Sequence, residues 1–504
     1  MKKSIGLVLC TSIFLTGILT GCGGRDTDQD KKPEVSVSIL DRGTVPSSEG
    51  SYQDNRWTKW INEKSGVKVN WVPIPRHEST QKINMLVAAG EAPDIICEYN
   101  GSLITTLLGQ GAIQPIDEFV DKYSVSYKKY INENEDLKDY ITSDGKMYAV
   151  TSRRSQDGIL NHGMWIRQDW LDKLGLQLPA TDEELLNVAR AFRDNDPGGN
   201  GPGNTTAFSI MNWHEIFFAT YQASAQWYDE DGWLTFGHLT DRYGDALKFF
   251  KMLYDENLID HEFITDKDLS RQKQLWATGK SGILTNQWVE TNNKELMQNV
   301  PEANPVPMAP ITTKYGQGGL WQEAAPNMYA LFSKNMKDPA AAMKLIDWML
   351  DEGWFTIKFG EEGIHHKAID GVPQTIDLEK NKTELDYAPE YAFVSQWQLN
   401  PEWISIMAGQ DLLSQKLSKQ REESMSVNSA VKFRRDILVD PQLPDVVKTI
   451  NNFTPIRDEI RMKVIAGGLQ YSAEWGMGEI RKEWKRLGGD EAERLMNEWY
   501  KTQK

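Results

Sequence analysis

Val35-Ser36-Val37-Ser38-Ile39, Val67-Lys68-Val69-Asn70-Trp71 and Pro93-Asp94-Ile95-Ile96-Cys97 are three strand-like runs in close succession, and the segments between them decide the fold. The first two alternate apolar and polar residues with the period of a strand. The third is a short buried run entered through a Pro-Asp turn. Asn55 to Lys64, ended by Ser65-Gly66, and Gln81 to Ala89, stopped by Gly90, read as helices. Strand, helix, strand, helix, strand is the order of a parallel α/β sheet, because parallel neighbours need a crossover long enough to hold a helix.

Helical signals continue downstream. Arg167 to Leu174 ends at Gly175, with Pro179 beyond it, as expected for a left-handed cap followed by a residue that cannot extend the helix. Thr181 and Glu184 form a capping box ahead of Leu185, Val188, Ala189 and Phe192. Asp338-Pro339 supplies an N-cap and a first-turn proline before a helix with Met343, Ile346 and Leu350 on one face. Ser472 to Tyr500 is mostly helical, and no repeat of solenoid period is present.

The chain starts with Met1-Lys2-Lys3, an apolar stretch from Ile5 to Leu19, and then Leu19-Thr20-Gly21-Cys22. The stretch is short for a membrane span, and its flanks are secretory. The order resembles a bacterial lipoprotein signal, residues 1–21, cleaved before a lipidated Cys22; an ordinary signal peptide with a chance cysteine is the alternative. Residues 22–34 contain no apolar side chain beyond Cys22 and Pro33, and read as a solvated tether. Loss of Lys2 and Lys3 takes the formal net charge from −16 to −18. That balance excludes nucleic acid and disfavours anionic phospholipid, so membrane attachment falls to acyl chains. Cys10 leaves with the signal and Cys22 carries lipid, so Cys97 has no partner for an internal disulfide, and stability must come from the core. The 18 tryptophans imply either heavy cores or aromatic platforms for a ligand.

Several segments carry a family resemblance. Ala88-Ala89-Gly90-Glu91-Ala92-Pro93-Asp94-Ile95-Ile96, Asp144 to Val150, Trp165 to Leu176, Gly279-Lys280-Ser281-Gly282-Ile283 and Phe359 to Ile364 occur in the order and spacing of a known group. The chain resembles the family 1 extracellular solute-binding lipoproteins of bacterial ABC sugar importers, in the subgroup that includes the lipoprotein LplA and the alginate-binding proteins. The resemblance implies an α/β, two-lobed, periplasmic-binding-protein-like fold, with lobes joined by hinge strands and a ligand cleft between them. By analogy the N-terminal lobe is 35–150 plus 283–325 and the C-terminal lobe 151–282 plus 326–504. The implied function is capture of an oligosaccharide and delivery to the transmembrane subunits of an ABC permease. The implied form is a monomer anchored by lipid on the extracytoplasmic face of a Gram-positive cell.

Open α/β sheets bind ligands beyond the carboxyl ends of their strands. Expected ligand contacts are therefore Asp41 and Arg42, Tyr99 and Asn100, Arg153 and Arg154, and Trp288, each following a strand, with Trp321 ahead of the second crossing. Aromatic rings suit the C–H faces of sugars, and carboxylates, amides and guanidinium groups suit their hydroxyl edges. A lone tryptophan is more often core; Trp213, Trp227 and Trp397 are weaker candidates for the ligand, and Trp348 and Trp354 are read as core. Arg153-Arg154 is either a solvated hinge pair or a bidentate site for a uronate carboxylate; a neutral oligosaccharide is the other ligand class.

Asp194 to Thr205 resembles the calcium loop of this subgroup. With Asp196 at position one, Asn200 falls at five, Pro202 offers a carbonyl at seven and Asn204 stands at nine. Gly198 occupies position three and Thr205 replaces an acidic residue, so calcium is a candidate ion and no cofactor is required. Two other functions are kept open. A secreted polysaccharide-degrading enzyme would need a carboxylate pair that 72 acidic residues cannot exclude, although no Gly-x-Ser-x-Gly elbow, HExxH helix or phosphate-binding loop appears. A peptide-binding transport lipoprotein has similar length but different segments.

Overall fold

The computed structural model describes residues 32–210, 215–266, 269–287 and 289–504, without the side chains of 215, 286, 287 and 289–291. Cys22, Trp213 and Trp288 lie outside the described residues and side chains.

Two mixed sheets organise the chain. The first has the order Lys68–Pro75, Glu34–Asp41, Ile95–Glu98, Pro326–Phe332, Ala149–Arg153. Glu34–Asp41 runs parallel to both of its neighbours. It lies inside the sheet, so Ser38 and Leu40 are buried as well as Val35, Val37 and Ile39. The buried Ser38 hydroxyl accepts the Cys97 N–H at 2.7 Å. Lys68–Pro75 is an edge strand and alternates over its first half, burying Val69 and Trp71, before Ile74 turns in at the far end. The intervening helices start and stop as their local chemistry dictates. Arg56–Lys64 begins at an Asn55–Thr58 capping box, and Ser79–Ala89 ends at Gly90 with φ +73°.

The second sheet has the order Pro305–Pro307, His162–Arg167, Ser281–Gln287, Thr206–Ser209. In each sheet the strand that arrives from the other lobe is antiparallel to its neighbours: Pro326–Phe332 in the first and His162–Arg167 in the second.

Each sheet has its own core. One draws on residues 35–150 and 328–394, the other on 164–320 and 437–496. This corrects the expected lobe boundaries. Residues 283–325 belong to the second lobe, because Ser281–Gln287 pairs with His162–Arg167 and Thr206–Ser209. Residues 326–394 belong to the first, because Pro326–Phe332 pairs with Ile95–Glu98 and Ala149–Arg153. The C-terminal helices Pro444–Ala466, Ala473–Arg486 and Gly489–Gln503 complete the second lobe, with buried Trp484 stacked on Phe236 at 5.4 Å.

The chain crosses between lobes near 154–161, near 321–325, and again after Leu399. Adjacent crossings are laced together. The Arg154 N–H donates to the Ala325 carbonyl at 2.6 Å, and the Leu399 N–H donates to the Ser155 hydroxyl at 2.9 Å.

Candidate ligand-binding cleft

Two of the cavities between the lobes meet at Tyr99 and Glu323. The larger, about 710 Å³, has Tyr99, Asn100, Tyr140 and Tyr329 from the first lobe facing Trp321, Arg435 and the 437–458 segment of the second. The smaller, about 450 Å³, lies over the hinge and is lined by Arg42, Arg76, Arg153, Arg154, Lys358, Trp354, Trp397 and Glu390 among others. These volumes are in the range of small-ligand sites.

Of the expected contacts, the smaller cavity brings together Arg42, Tyr99, Arg153 and Arg154, and the larger brings together Tyr99, Asn100 and Trp321. Asp41 lines neither; its carboxylate accepts the Gly43 N–H at 2.8 Å and closes the turn after the strand. Arg42 pairs with Glu390 at 2.6 Å. Two guanidinium groups lie over the Tyr99 ring, that of Arg76 at 5.2 Å and that of Arg42 at 6.0 Å. Asn100 accepts hydrogen bonds from the N–H and hydroxyl of Ser102, opening the helix Ser102–Gly109. Trp321 is half-buried with its edge on Phe433 at 5.3 Å.

The arginine pair divides. Arg153 turns to Asp136 and to the Asn134 amide oxygen, 3.1 Å away. Arg154 donates to the carbonyls of Ala324, Pro326 and Asn327 at 3.2–3.3 Å, so its guanidinium straps the second crossing to the first. With those donors engaged, the two arginines do not form a bidentate carboxylate clamp; Arg154 is a hinge residue.

Arg76, Lys358, Trp354 and Glu390 lie outside the expected contacts, and Trp397 stands there only as a weaker candidate. Arg76 follows the strand Lys68–Pro75, so the strand-end rule applied to the second strand finds it. The other four come from the 326–394 return and the loop after it, where the rule has no strand end to point to. Trp354 is half-buried and lines the cavity, which corrects its reading as core; Trp348 does pack inward, on Trp60 at 5.5 Å.

The smaller cavity carries five cationic side chains, Arg42, Arg76, Arg153, Arg154 and Lys358, against Asp157, Glu323 and Glu390. It is a basic pocket in a protein of formal charge −16. Burial shifts its groups toward their neutral forms: the Glu390 carboxyl and Tyr99 hydroxyl are pushed up and the Lys358 ammonium is pushed down. The larger cavity has Arg435 and Arg457 against Glu323, Asp440 and Asp458, with more apolar and aromatic walls.

The glycine-rich loop lies apart from both cavities and does not fit calcium. Asp194 turns out to Arg193, at 2.6 Å, leaving Asp196 as the loop's carboxylate. Asp196 already accepts the Asn200 N–H at 3.0 Å, the Gly201 N–H at 2.8 Å and the Thr205 hydroxyl. The Asn200 amide donates to Thr205 and to the Gly279 carbonyl, and the Asn204 amide donates to the Asn200 carbonyl. A β-carbon at Gly198 would sit 2.7 Å from the Trp170 ring, so position three cannot carry a ligating side chain without moving that ring. One carboxylate, already filled, is a poor match for an ion that takes six to eight oxygens.

Residues 47–354 match the family model of the bacterial extracellular solute-binding proteins. The polygalacturonan/rhamnogalacturonan-binding protein YtcQ of Bacillus subtilis is 25% identical over 385 residues, covering 71% of this chain and 73% of that protein. The lipoprotein LipO of the same bacterium is 24% identical over 511 residues, 97% of each chain. The fold matches Streptococcus pneumoniae FusA in complex with kestose, with a TM-score of 0.72 at 18% identity over 93% of this chain and 99% of that one. It matches the alginate-binding protein AlgQ2 without calcium ion equally, with a TM-score of 0.72 at 19% identity over 94% and 98% of the two chains. More than half of the sequence lies under the family model, and the chain belongs to the bacterial extracellular solute-binding proteins.

Proposed function

We propose that this protein captures an acidic, uronate-bearing oligosaccharide in the cleft between its lobes and delivers it to an ABC permease. The observation that carries this reading is the basic, tryptophan-lined cavity beside the hinge of an otherwise acidic protein. Rings such as Trp397 and Trp354 suit sugar faces, and Arg76 and Lys358 suit carboxylates. The wider, more apolar cavity leaves room for further sugar units. The named specificity of YtcQ for polygalacturonan and rhamnogalacturonan supports the same class. Lipid on Cys22 and the 22–34 tether hold the receptor near its permease, raising the local concentration of loaded protein. Calcium is not required.

Tryptophan fluorescence titration with galacturonate oligomers tests the proposal. A saturable change, with no new reducing ends or unsaturated products over time, is the expected result. Steady product release would make the protein an enzyme instead. Saturation by fructo-oligosaccharide but not by galacturonate would assign a neutral ligand.

A further inference from the structure

The arginines of the smaller cavity already have partners. Arg42 is on Glu390, Arg153 on Asp136, and Arg154 on three hinge carbonyls. Arg76 lies 3.6 Å from the buried Glu98 carboxylate and stacks on Tyr99. Lys358 differs. Among the described residues its ammonium makes no ion pair or hydrogen bond; it lies over the Trp397 ring, 5.1 Å from the centroid. The neighbouring carboxylate, Asp157, is engaged by Arg421 and by the Ser155 hydroxyl.

Local structure holds Lys358 in that place. The helix Pro339–Trp348 passes through a π-helical turn, Met349–Gly353, into the helix Trp354–Phe359. A π turn rotates the face that follows it and is often found at functional sites. Gly353 is needed there, since a β-carbon would come within 2.8 Å of the Trp348 ring. Trp354 and Lys358 are four residues apart, so they share one helix face and line the cavity together. A half-buried ammonium without a counter-ion is held at a free-energy cost that a ligand carboxylate relieves.

We infer that Lys358 is the specificity-determining residue of the cleft, selecting a free carboxylate on the bound sugar over a neutral or esterified one. A uronate lying on the Trp397 face brings its carboxylate to the ammonium, while the paired arginines fix the shape of the pocket. The inference rests on the reading of the cleft as an acidic-oligosaccharide site.

Isothermal titration of the full chain with trigalacturonate and with its methyl ester, repeated for Lys358→Met and Lys358→Arg, separates the outcomes. The wild-type chain should prefer the free acid by at least about tenfold, or about 1.4 kcal/mol. Lys358→Met should bring the two ligands within about threefold of each other by weakening the acid alone, and Lys358→Arg should keep the preference, because charge rather than shape is read. A preference that survives in Lys358→Met overturns the inference and moves the selection to Arg76. Equal binding of acid and ester by the wild-type chain also overturns it, while leaving oligosaccharide capture standing. Binding of neither ligand removes the proposed function as well. Should Lys358→Met fail to fold, Lys358→Gln, which also removes the charge, makes the same comparison.

Discussion

At the residue scale, the side chains of the cleft separate into those that contact ligand and those that hold the hinge. In the proposed binding mode Trp321 belongs to the first group. Trp321→Ala should weaken oligosaccharide binding by about tenfold, roughly the worth of one aromatic platform, and shift the melting temperature by no more than about 3 °C, because the ring is half-exposed and packs on one neighbour. Titration and calorimetry on the same sample check both parts. His162 belongs to the second group. It is buried at the first crossing, 3.9 Å from Glu323, and burial together with Arg154 pushes its imidazole down to about 3. The unfolded chain takes up that proton near pH 6.5 and the folded chain does not, so stability falls as the pH drops below about 6.5 and levels off near the folded value. By pH 4.5 the loss from this group is about 2–3 kcal/mol. Urea unfolding across that range should show a shallower decline in His162→Asn. The place of Trp321 ahead of a crossing marks it as a candidate in the sequence, whereas His162 carries no such mark: a histidine at a strand start looks the same whether it faces ligand, core or hinge.

At the element scale, local signals served well where the determining contacts are local. The capping box at Thr181, the glycine stops at Gly90 and Gly175, and the Asp338-Pro339 start all fall where sequence places them. Strand partners did not follow in the same way. Nothing within Ser281–Gln287 or Pro326–Phe332 states which sheet it joins, since the partner strands lie far away in the sequence. That misplacement hid Trp354, Lys358 and Glu390 from the search for the cleft. The 196–205 loop shows the reverse case. Its spacing is that of an ion site, but Asp196 is filled by the loop's own N–H and hydroxyl groups. A chelator should therefore leave the melting temperature unchanged to within about 1 °C, and added calcium should not raise it. Asp196→Ala should cost about 1–3 kcal/mol by stripping the acceptor from two backbone donors, as read by denaturant unfolding.

At the scale of the whole molecule, charge and architecture act together. A formal charge of −16 repels an acidic oligosaccharide at long range, whereas the cavity beside the hinge presents cations at short range. Raising the ionic strength from about 50 to about 500 mM should weaken binding of a galacturonate oligomer several-fold and leave a neutral sugar of equal length little affected. The most direct test of the central claim is a crystal structure of the protein with trigalacturonate. The expected result is sugar density in the cleft with one carboxylate at ion-pair distance from Lys358 and its ring against Trp397 or Trp354. Sugar bound away from that cavity, or with every carboxylate turned to solvent, would contradict it.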